Sequence, residues 1–445
     1  MCRRPSPSDG ARPLQHPAQV LVHPDAVRDP ATARPFRFVI YALTVAMCVI
    51  CYGDRAALSA GMPAIAREFG LTSGEIGWVL SSFLWSYFIL NLPSAILLDR
   101  LGVRRVGALA VALWSLAMIL GGLAAGIAAF IATRVLLGIG EAPTFSLGNK
   151  VVRAWAPPTE RGVMMTAFVC GIPIGLAGGA AAGAWLIAHF GWRPAFGMLG
   201  ALGLVWSVCW WFIHPEQHPG QHPQPYRDPS PARRGTLSVP VLFGSSSFWG
   251  VVIAQCCANY ANFLLMSWLP LILRQVLHLG MVQAGAYTAY CYCGAAVISI
   301  TAGKLGERLM AGRSLAHGAR RKVVCAYLIL AALMGLLPLC GTAGTIIPLL
   351  AVSMAFVAAG TGANMALLSD LVIEHDILGA VTGLTLTFSN GLGILAPIMT
   401  GYLLQATGNF HGVFYITAGI ILCGAAAAWA MPRRMFHARR QGDGA

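Results

Sequence analysis

Apolar runs of bilayer-spanning length recur twelve times along this chain, near 37–60, 77–98, 106–126, 128–152, 162–188 and 193–213, then near 246–273, 281–304, 322–341, 344–370, 380–405 and 412–431. A helix crosses the hydrocarbon core with roughly 20 apolar residues. In lipid, every backbone polar group must be satisfied within the segment, so such runs fold as helices. The expected fold is an all-α membrane protein of twelve transmembrane helices in two six-helix, pseudo-symmetric halves. Composition excludes the soluble enzyme classes: 57% of residues are hydrophobic and 10% charged, where soluble domains carry about 25% charged residues. The 51 glycines suit helices whose backbones approach closely.

Polar segments divide the chain. Residues 1–36 are rich in Pro and Arg and are expected to be a disordered cytoplasmic tail. No apolar signal-peptide region precedes the first run, which is expected to act as an uncleaved anchor. The N-terminal bundle spans 37–213, a cytoplasmic linker 214–245, the C-terminal bundle 246–431 and a cytoplasmic tail 432–445. The linker's His-Pro pairs, at His214, His218 and His222, read as a Pro-rich tether and not as a metal site. Nearly all of the 12 cysteines fall inside apolar runs and read as small buried hydrophobes. No metal or cofactor is expected.

The net charge of +14 does not indicate a nucleic-acid partner, because the arginines sit in short segments between apolar runs. They cluster at Arg100, Arg104 and Arg105, at Arg153 and Arg161, at Arg227, Arg233 and Arg234, at Arg308, Arg313, Arg320, Arg321 and Lys322, and at Arg433, Arg434, Arg439 and Arg440. The intervening loops carry few positive charges. This alternation is the positive-inside pattern, so both termini and the linker are expected in the cytoplasm of a cell whose inner membrane holds the protein. A short repeat relates the halves: Asp99-Arg100 follows the second run and Glu307-Arg308 the eighth. Parallel repeats with a midplane site mark one large transporter architecture.

Charges at bilayer depth are functional candidates by default. They are Asp54 and Arg55 in the first run, Arg134 and Glu141 in the fourth, and Asp370 near the end of the tenth. Arg134 and Glu141 lie two helical turns apart on nearly one face. Pro143 follows Glu141 in GIGEAP and can kink the helix there. Asp54 and Arg55 point about 100° apart, yet both can reach a bundle interior. Two acids and two bases in one half suggest an exchange network in which anion and proton bind together: an acid beside Arg holds its charge until substrate takes the Arg. Structural ion pairs are the competing explanation. It is preferred for Asp99 with Arg100, Arg104 and Arg105 at a helix end, and a structural or gate role is preferred for Asp370. Tyr52, Tyr87, Asn91, Asn259, Tyr260, Asn364, Ser389 and Asn390 are further candidates to line the same interior.

The segment LLDRLGVRR resembles the signature loop of the major facilitator superfamily, with Ala95 where its leading Gly is usual. CYGDRAALS, SSFLWSYFILNLPSAILLDRLG, TRVLLGIGEAPTF, PPTERG, GWRPAFG, WLPLIL and SNGLGILAPIMTGYLLQATG are similar to the anion:cation symporter family, and within it to bacterial proton-coupled sugar-acid transporters. The resemblance runs from about residue 37 to the end of the last span. It implies that Asp54 and Glu141 carry protons, that Arg55 meets a substrate carboxylate, and that Arg134 ties Glu141 to the substrate. Tyr52, Tyr87, Asn91 and Asn390 are implied in substrate contact, and Asp99, Arg100, Gly102, Arg104 and Arg105 in a cytoplasmic gate. Departures from the family pattern fall at Cys51, Asn91, Cys170, Pro173 and Met365, making the hydroxyl-reading part of the pocket less polar.

The function expected is import of a small organic anion, a sugar acid or other carboxylate, coupled to protons (or Na+) by alternating access in a monomer embedded in the bilayer. Two transporter-like alternatives are a proton-coupled exporter, which would favour acids over bases in its interior, and a ligand sensor that does not transport. An intramembrane aspartyl protease using Asp54 and Asp370 is disfavoured, because Arg55 would hold Asp54 ionised.

Overall fold

The computed structural model describes residues 34–157, 159–215, 239–310, 318–373, 378–432 and 435. Arg227, Arg233, Arg234, His218, His222, Arg313, Arg433, Arg434, Arg439 and Arg440 lie outside the described residues, as do most of the two tails and the linker.

The first six spans are α1 (Arg34–Phe69), α2 (Ser73–Leu101), α3 (Val103–Gly122), α4 with α5 (Ile127–Glu141 and Thr144–Trp155), α6 (Arg161–Phe190) and α7 (Trp192–Ile213). A short α8 (Val239–Phe243) leads into the second set. That set is α9 (Ser246–Val276), α10 (Met281–Met310), α11 (Ala319–Ala331) prolonged by a 3-10 turn over Ala332–Leu339, α12 (Ala343–Leu371), α13 with α14 (Leu378–Gly393 and Leu395–Thr407), and α15 (His411–Ala430). Eleven of these helical stretches are long and apolar enough to cross a membrane. The remaining one, α10, has 30 residues and so spans about 45 Å. Exposed Phe212, Leu339, Val205 and Val297 cover the outside, where lipid would meet them. A helix lies over each of the twelve expected runs, with α1 starting at Arg34 and continuing to Phe69, well past the expected end at 60, and with α8 in the stretch expected as linker.

Local chemistry sets the ends. Thr72 and Glu75 form a reciprocal capping box that starts α2: the Glu75 amide donates to Thr72 Oγ1 at 3.3 Å, and the Thr72 amide donates to Glu75 Oε2 at 2.8 Å. Gly102 ends α2 and opens α3 at φ +82°, and Gly191 does the same between α6 and α7 at φ +83°. Both backbones lie in the region open to glycine and strained for other residues.

The halves repeat one packing plan. In the first, α1 lies along α6, α2 along α4 and α3 along α7; in the second, α9 lies along α13, α10 along α12, and α11 with its 3-10 turn along α15. Small residues permit the closest approaches. A Cβ on Gly175 would meet the Val49 carbonyl oxygen, and one on Gly183 would meet Ala57 at 2.8 Å.

The halves meet through α1 with α9, α2 with α14, and α6 with α10. These contacts gather at the end of the bundle away from the Arg-rich loops. Ser59 donates to the Ser267 carbonyl at 2.5 Å, Gly74 N–H to Gln405 Oε1 at 3.1 Å, and Trp78 Nε1 to Tyr402 Oη at 3.2 Å. Gly77 faces the backbone of Pro397 and Ile398, and Gly285 faces Ala180 and Ala184.

Candidate functional site

Asp54, Arg55, Arg134 and Glu141 are all buried, at 3%, 8%, 1% and 0% exposure. All four belong to the first half. Asp54 and Arg55 sit mid-way along α1. Glu141 is the last residue of α4, and the chain resumes as α5 only at Thr144. Pro143 lacks an N–H, so the ladder is interrupted beside Glu141. Asn91 of α2 donates to the Ala142 carbonyl at 3.4 Å within this gap. Irregular backbone at membrane depth requires such cover.

Arg55 and Glu141 form a close ion pair. Arg55 Nε donates to Glu141 Oε2 at 2.8 Å and Nη2 donates to the same oxygen at 2.6 Å. The other carboxylate oxygen, Oε1, is buried without a hydrogen-bond partner. Three rings surround the guanidinium: Tyr52, Phe83 and Tyr87 lie 4.7, 4.9 and 5.1 Å from its carbon. Aromatic faces stabilise a cation with little hydration to lose. Phe83 is held there by close contact between α2 and α4. Gly138 of α4 packs onto the Phe83 carbonyl, and Ser86 Oγ donates to the Val135 carbonyl at 2.8 Å.

Arg134 is placed differently. Its Nη1 faces Met118 Sδ at 3.3 Å and its Nη2 donates to the Ala117 carbonyl at 3.5 Å. Its guanidinium lies 5.0 Å from the Phe130 ring and 5.5 Å from Phe196. Arg134 Nε and Asp54 Oδ2 are both buried without hydrogen-bond partners. Arg55, not Arg134, is therefore the direct partner of Glu141 in this conformation.

The second half holds neutral amides. Asn259 of α9 donates to Asn390 Oδ1 of α13 at 2.8 Å. Asn364 of α12 donates to the Val251 carbonyl and to Gln255 Oε1, both at 2.9 Å. Tyr260 and Ser389 are buried in the same half. Across the interface, a methyl-sized group on Gly391 would touch Phe88 of α2 at 3.8 Å. This contact brings α13 of the second half against α2 of the first.

The Arg-rich end carries matching ion pairs. In the first half Asp99 pairs with Lys150 of α5. In the second, Arg320 of α11 reaches Glu307 at 3.3 Å and Asp370 at 2.6 Å. Arg100 and Arg105 are exposed, and Arg104 donates to the Trp211 carbonyl at 2.8 Å. The motifs TERG and GWRP serve packing: Arg37 pairs with Glu160 at 2.9 Å, and Arg193 joins Glu68 at 2.7 Å while donating to the Gly122 and Ala124 carbonyls. Among the described residues no cluster of three or more His, Cys, Asp or Glu side chains could hold a metal ion.

Sequence reasoning missed Phe83, Gln255 and Lys150 as participants. Phe83 stands one turn before Tyr87 on α2, so a helical-face test of Tyr87 would have found it. Gln255 precedes Asn259 by the same spacing.

Residues 44–318 match the model of the Major Facilitator Superfamily. The chain belongs to this superfamily. It is a membrane transporter and not an enzyme. Among curated members it is 30% identical over 401 residues to the probable galactarate/D-glucarate transporter of Bacillus subtilis, covering 84% of this chain and 87% of that one. It is 28% identical over 415 residues to the D-galactonate transporter of Escherichia coli O6:H1, covering 89% and 95%. Among solved members of the fold, a bacterial homolog to the human lysosomal transporter Spinster, in an inward-facing and unoccupied conformation, superposes with TM-score 0.75 at 18% identity. The match covers 91% of this chain and 98% of that one.

Proposed function

We propose that this major facilitator protein imports an organic carboxylate with protons across a bacterial inner membrane, as a monomer, with both termini and the linker in the cytoplasm. The observation that carries the reading is the buried Arg55–Glu141 pair, one oxygen of which is unpartnered. A guanidinium closed in by rings has one strong acceptor, Glu141 Oε2. If Glu141 takes a proton, that acceptor weakens and Arg55 becomes available to a substrate carboxylate. If it loses the proton, Arg55 returns to Glu141. Asp54 and Arg134, close by and incompletely satisfied, offer a second protonation site and a charge that balances it. Relatives named as carriers of sugar acids support an anion as substrate.

In this reading the structure faces the cytoplasm. The halves meet at the end away from the Arg-rich loops, and substrate would leave from the Arg-rich end. Asp99, Arg100, Gly102, Arg104 and Arg105, with Lys150, would then form the gate that closes when the halves rock. A monoanion entering with one proton moves no net charge, whereas entry with two would also be driven by the membrane potential.

The test is uptake of labelled carboxylates into proteoliposomes under an imposed inward proton gradient. Accumulation that a protonophore abolishes and Arg55→Ala removes establishes anion:proton symport. No accumulation of any carboxylate by folded protein overturns it and shifts weight to proton-coupled export or to ligand sensing.

A further inference from the structure

The surroundings of Arg55 also restrict which anion fits, on the reading above that Arg55 receives a carboxylate. Glu141 holds two of the guanidinium nitrogens, and the third, Nη1, is not given to it. Tyr52, Phe83 and Tyr87 close the guanidinium faces, and Phe88 stands next along α2 at the contact with Gly391. The wall beside the cation is therefore made of rings.

Hydroxyl donors on α2 and α13 are largely spent on nearby carbonyls. Asn390 accepts from Asn259, and Asn91 donates to the carbonyl at the α4–α5 gap, each using one end of its amide. The Ser82 hydroxyl donates to the Val79 carbonyl of its own helix, and Ser86 to the Val135 carbonyl of α4. On α13 the hydroxyls of Thr385, Thr387 and Ser389 donate to Val381, Gly383 and Leu386. A polyhydroxy acid needs a partner for each hydroxyl it withdraws from water, and a site that reads hydroxyls holds such partners in reserve. Here the phenols of Tyr52 and Tyr87 and the other ends of the Asn259–Asn390 pair are the few groups left to serve.

A second carboxylate would need a second cation. Arg134 is 1% exposed, lies under the Phe130 and Phe196 rings, and directs its nitrogens at Met118 and the Ala117 carbonyl. It faces the packing between α3 and α4, not the contact between the halves.

We infer that the anion is an aryl or arylalkyl monocarboxylate with at most one or two hydroxyls, and not a polyhydroxy diacid. Its carboxylate docks on Arg55, and its ring packs against Phe83, Tyr87 and Phe88 in the edge and offset arrangements aromatic pairs prefer. Phe83 is then a specificity-determining residue: it carries no charge and contributes only an apolar face beside the cation.

The test is calorimetric binding to the purified full-length protein, with 4-hydroxybenzoate and 3-phenylpropionate against D-glucarate and D-galactonate. The aryl acids are expected to bind about tenfold tighter or better, a difference of roughly 1.4 kcal/mol. Phe83→Leu should weaken the aryl acids about fivefold and the sugar acids clearly less. Phe88→Leu, at a less buried position, is the second variant should Phe83→Leu fail to fold, and the same selective loss is expected. Equal or tighter binding of the sugar acids, or equal weakening of both classes, overturns this inference and leaves the anion reading of Arg55 standing. Folded protein that binds none of the four acids overturns both.

Discussion

Arg55 gives two nitrogens to one oxygen of Glu141 and leaves the other oxygen buried and unpartnered. The pair therefore leaves Nη1 of the arginine and Oε1 of the acid outside it. Removing one member of a buried pair strands the other, at a cost of about 3–5 kcal/mol. Arg55→Ala is expected to lower the thermal midpoint in detergent clearly. Glu141→Gln should lower it less, because its amide oxygen still accepts from Arg55. The double variant Arg55→Gln/Glu141→Gln should recover much of the Arg55→Ala loss. A midpoint for Glu141→Gln as low as that of Arg55→Ala would show that the pair does not hold these helices.

The same variant separates coupling from binding. Glu141→Gln should lose accumulation of substrate against its gradient while keeping exchange of labelled for unlabelled substrate. Counterflow in proteoliposomes measures the exchange directly. Proton-driven accumulation retained in Glu141→Gln would remove Glu141 from the proton path.

Gly138 packs against the Phe83 carbonyl and Ser86 Oγ with no room for a methyl group. Overpacking a tight contact costs about 1–3 kcal/mol. Gly138→Ala should lower the thermal midpoint and weaken substrate binding together, because it pushes α2, with Phe83 and Tyr87, away from Arg55. Gly178→Ala has open space around it and serves as the control.

The two halves carry unequal ion pairs at the Arg-rich end. Lys150 and Asp99 are 36% and 67% exposed, whereas Arg320 and Asp370 are 18% and 22% exposed. Exposed pairs contribute about 0–1 kcal/mol, and pairs shielded from water are screened less. Arg320→Gln should therefore destabilise more than Lys150→Gln. Comparing the two by thermal unfolding checks the ranking.

His214 follows α7 just outside the membrane span. Its ring packs 4.6 Å from the Trp210 ring and 5.8 Å from Trp155, and its Nε2 is buried without a partner. Burial, helped by the nearby Arg104 charge, pushes its pKa down from 6.5 to about 4. A base depressed in the folded state contributes its full stability above pH 6.5 and loses it as pH falls from there toward 4. By linkage the loss reaches about 2 kcal/mol at pH 5. His214→Phe keeps the ring packing and should flatten the fall in thermal midpoint between pH 7 and pH 5. An unchanged slope would show that other groups cause it.

The twelve spans were legible because hydropathy over a span is a sum along the chain and needs no knowledge of neighbours. The α4–α5 gap was legible for the same reason: Pro143 acts on its own helix. Partner choice was not. Arg55 and Arg134 are both buried cations near Glu141, and only the placement of α1 against α4 decides that Arg55 takes the carboxylate. The Asn259–Asn390 bond joins residues 131 positions apart. The role of Asn91 at the α4–α5 gap depends on a neighbouring helix's bare carbonyl. The 3-10 turn at Ala332–Leu339 contains Pro338, which marks a helix end without specifying its type.

The seam between α2 and α14 brings Gly77 against Pro397 and Ile398, and Gly401 against Ser73 and Gly77. Two backbones lie against each other there, and the side chains that cross the seam sit to one side, where Gln405 accepts from Gly74 and Tyr402 from Trp78. Interlocked side chains must swing aside before two surfaces can part, which adds a barrier on top of the attraction given up. At the glycines there is nothing of that kind to unlock, so parting the seam comes down to releasing Gln405 and Tyr402 beside them. A large residue at Gly77 or Gly401 would hold them apart from the start, and such a protein would be trapped open on that side.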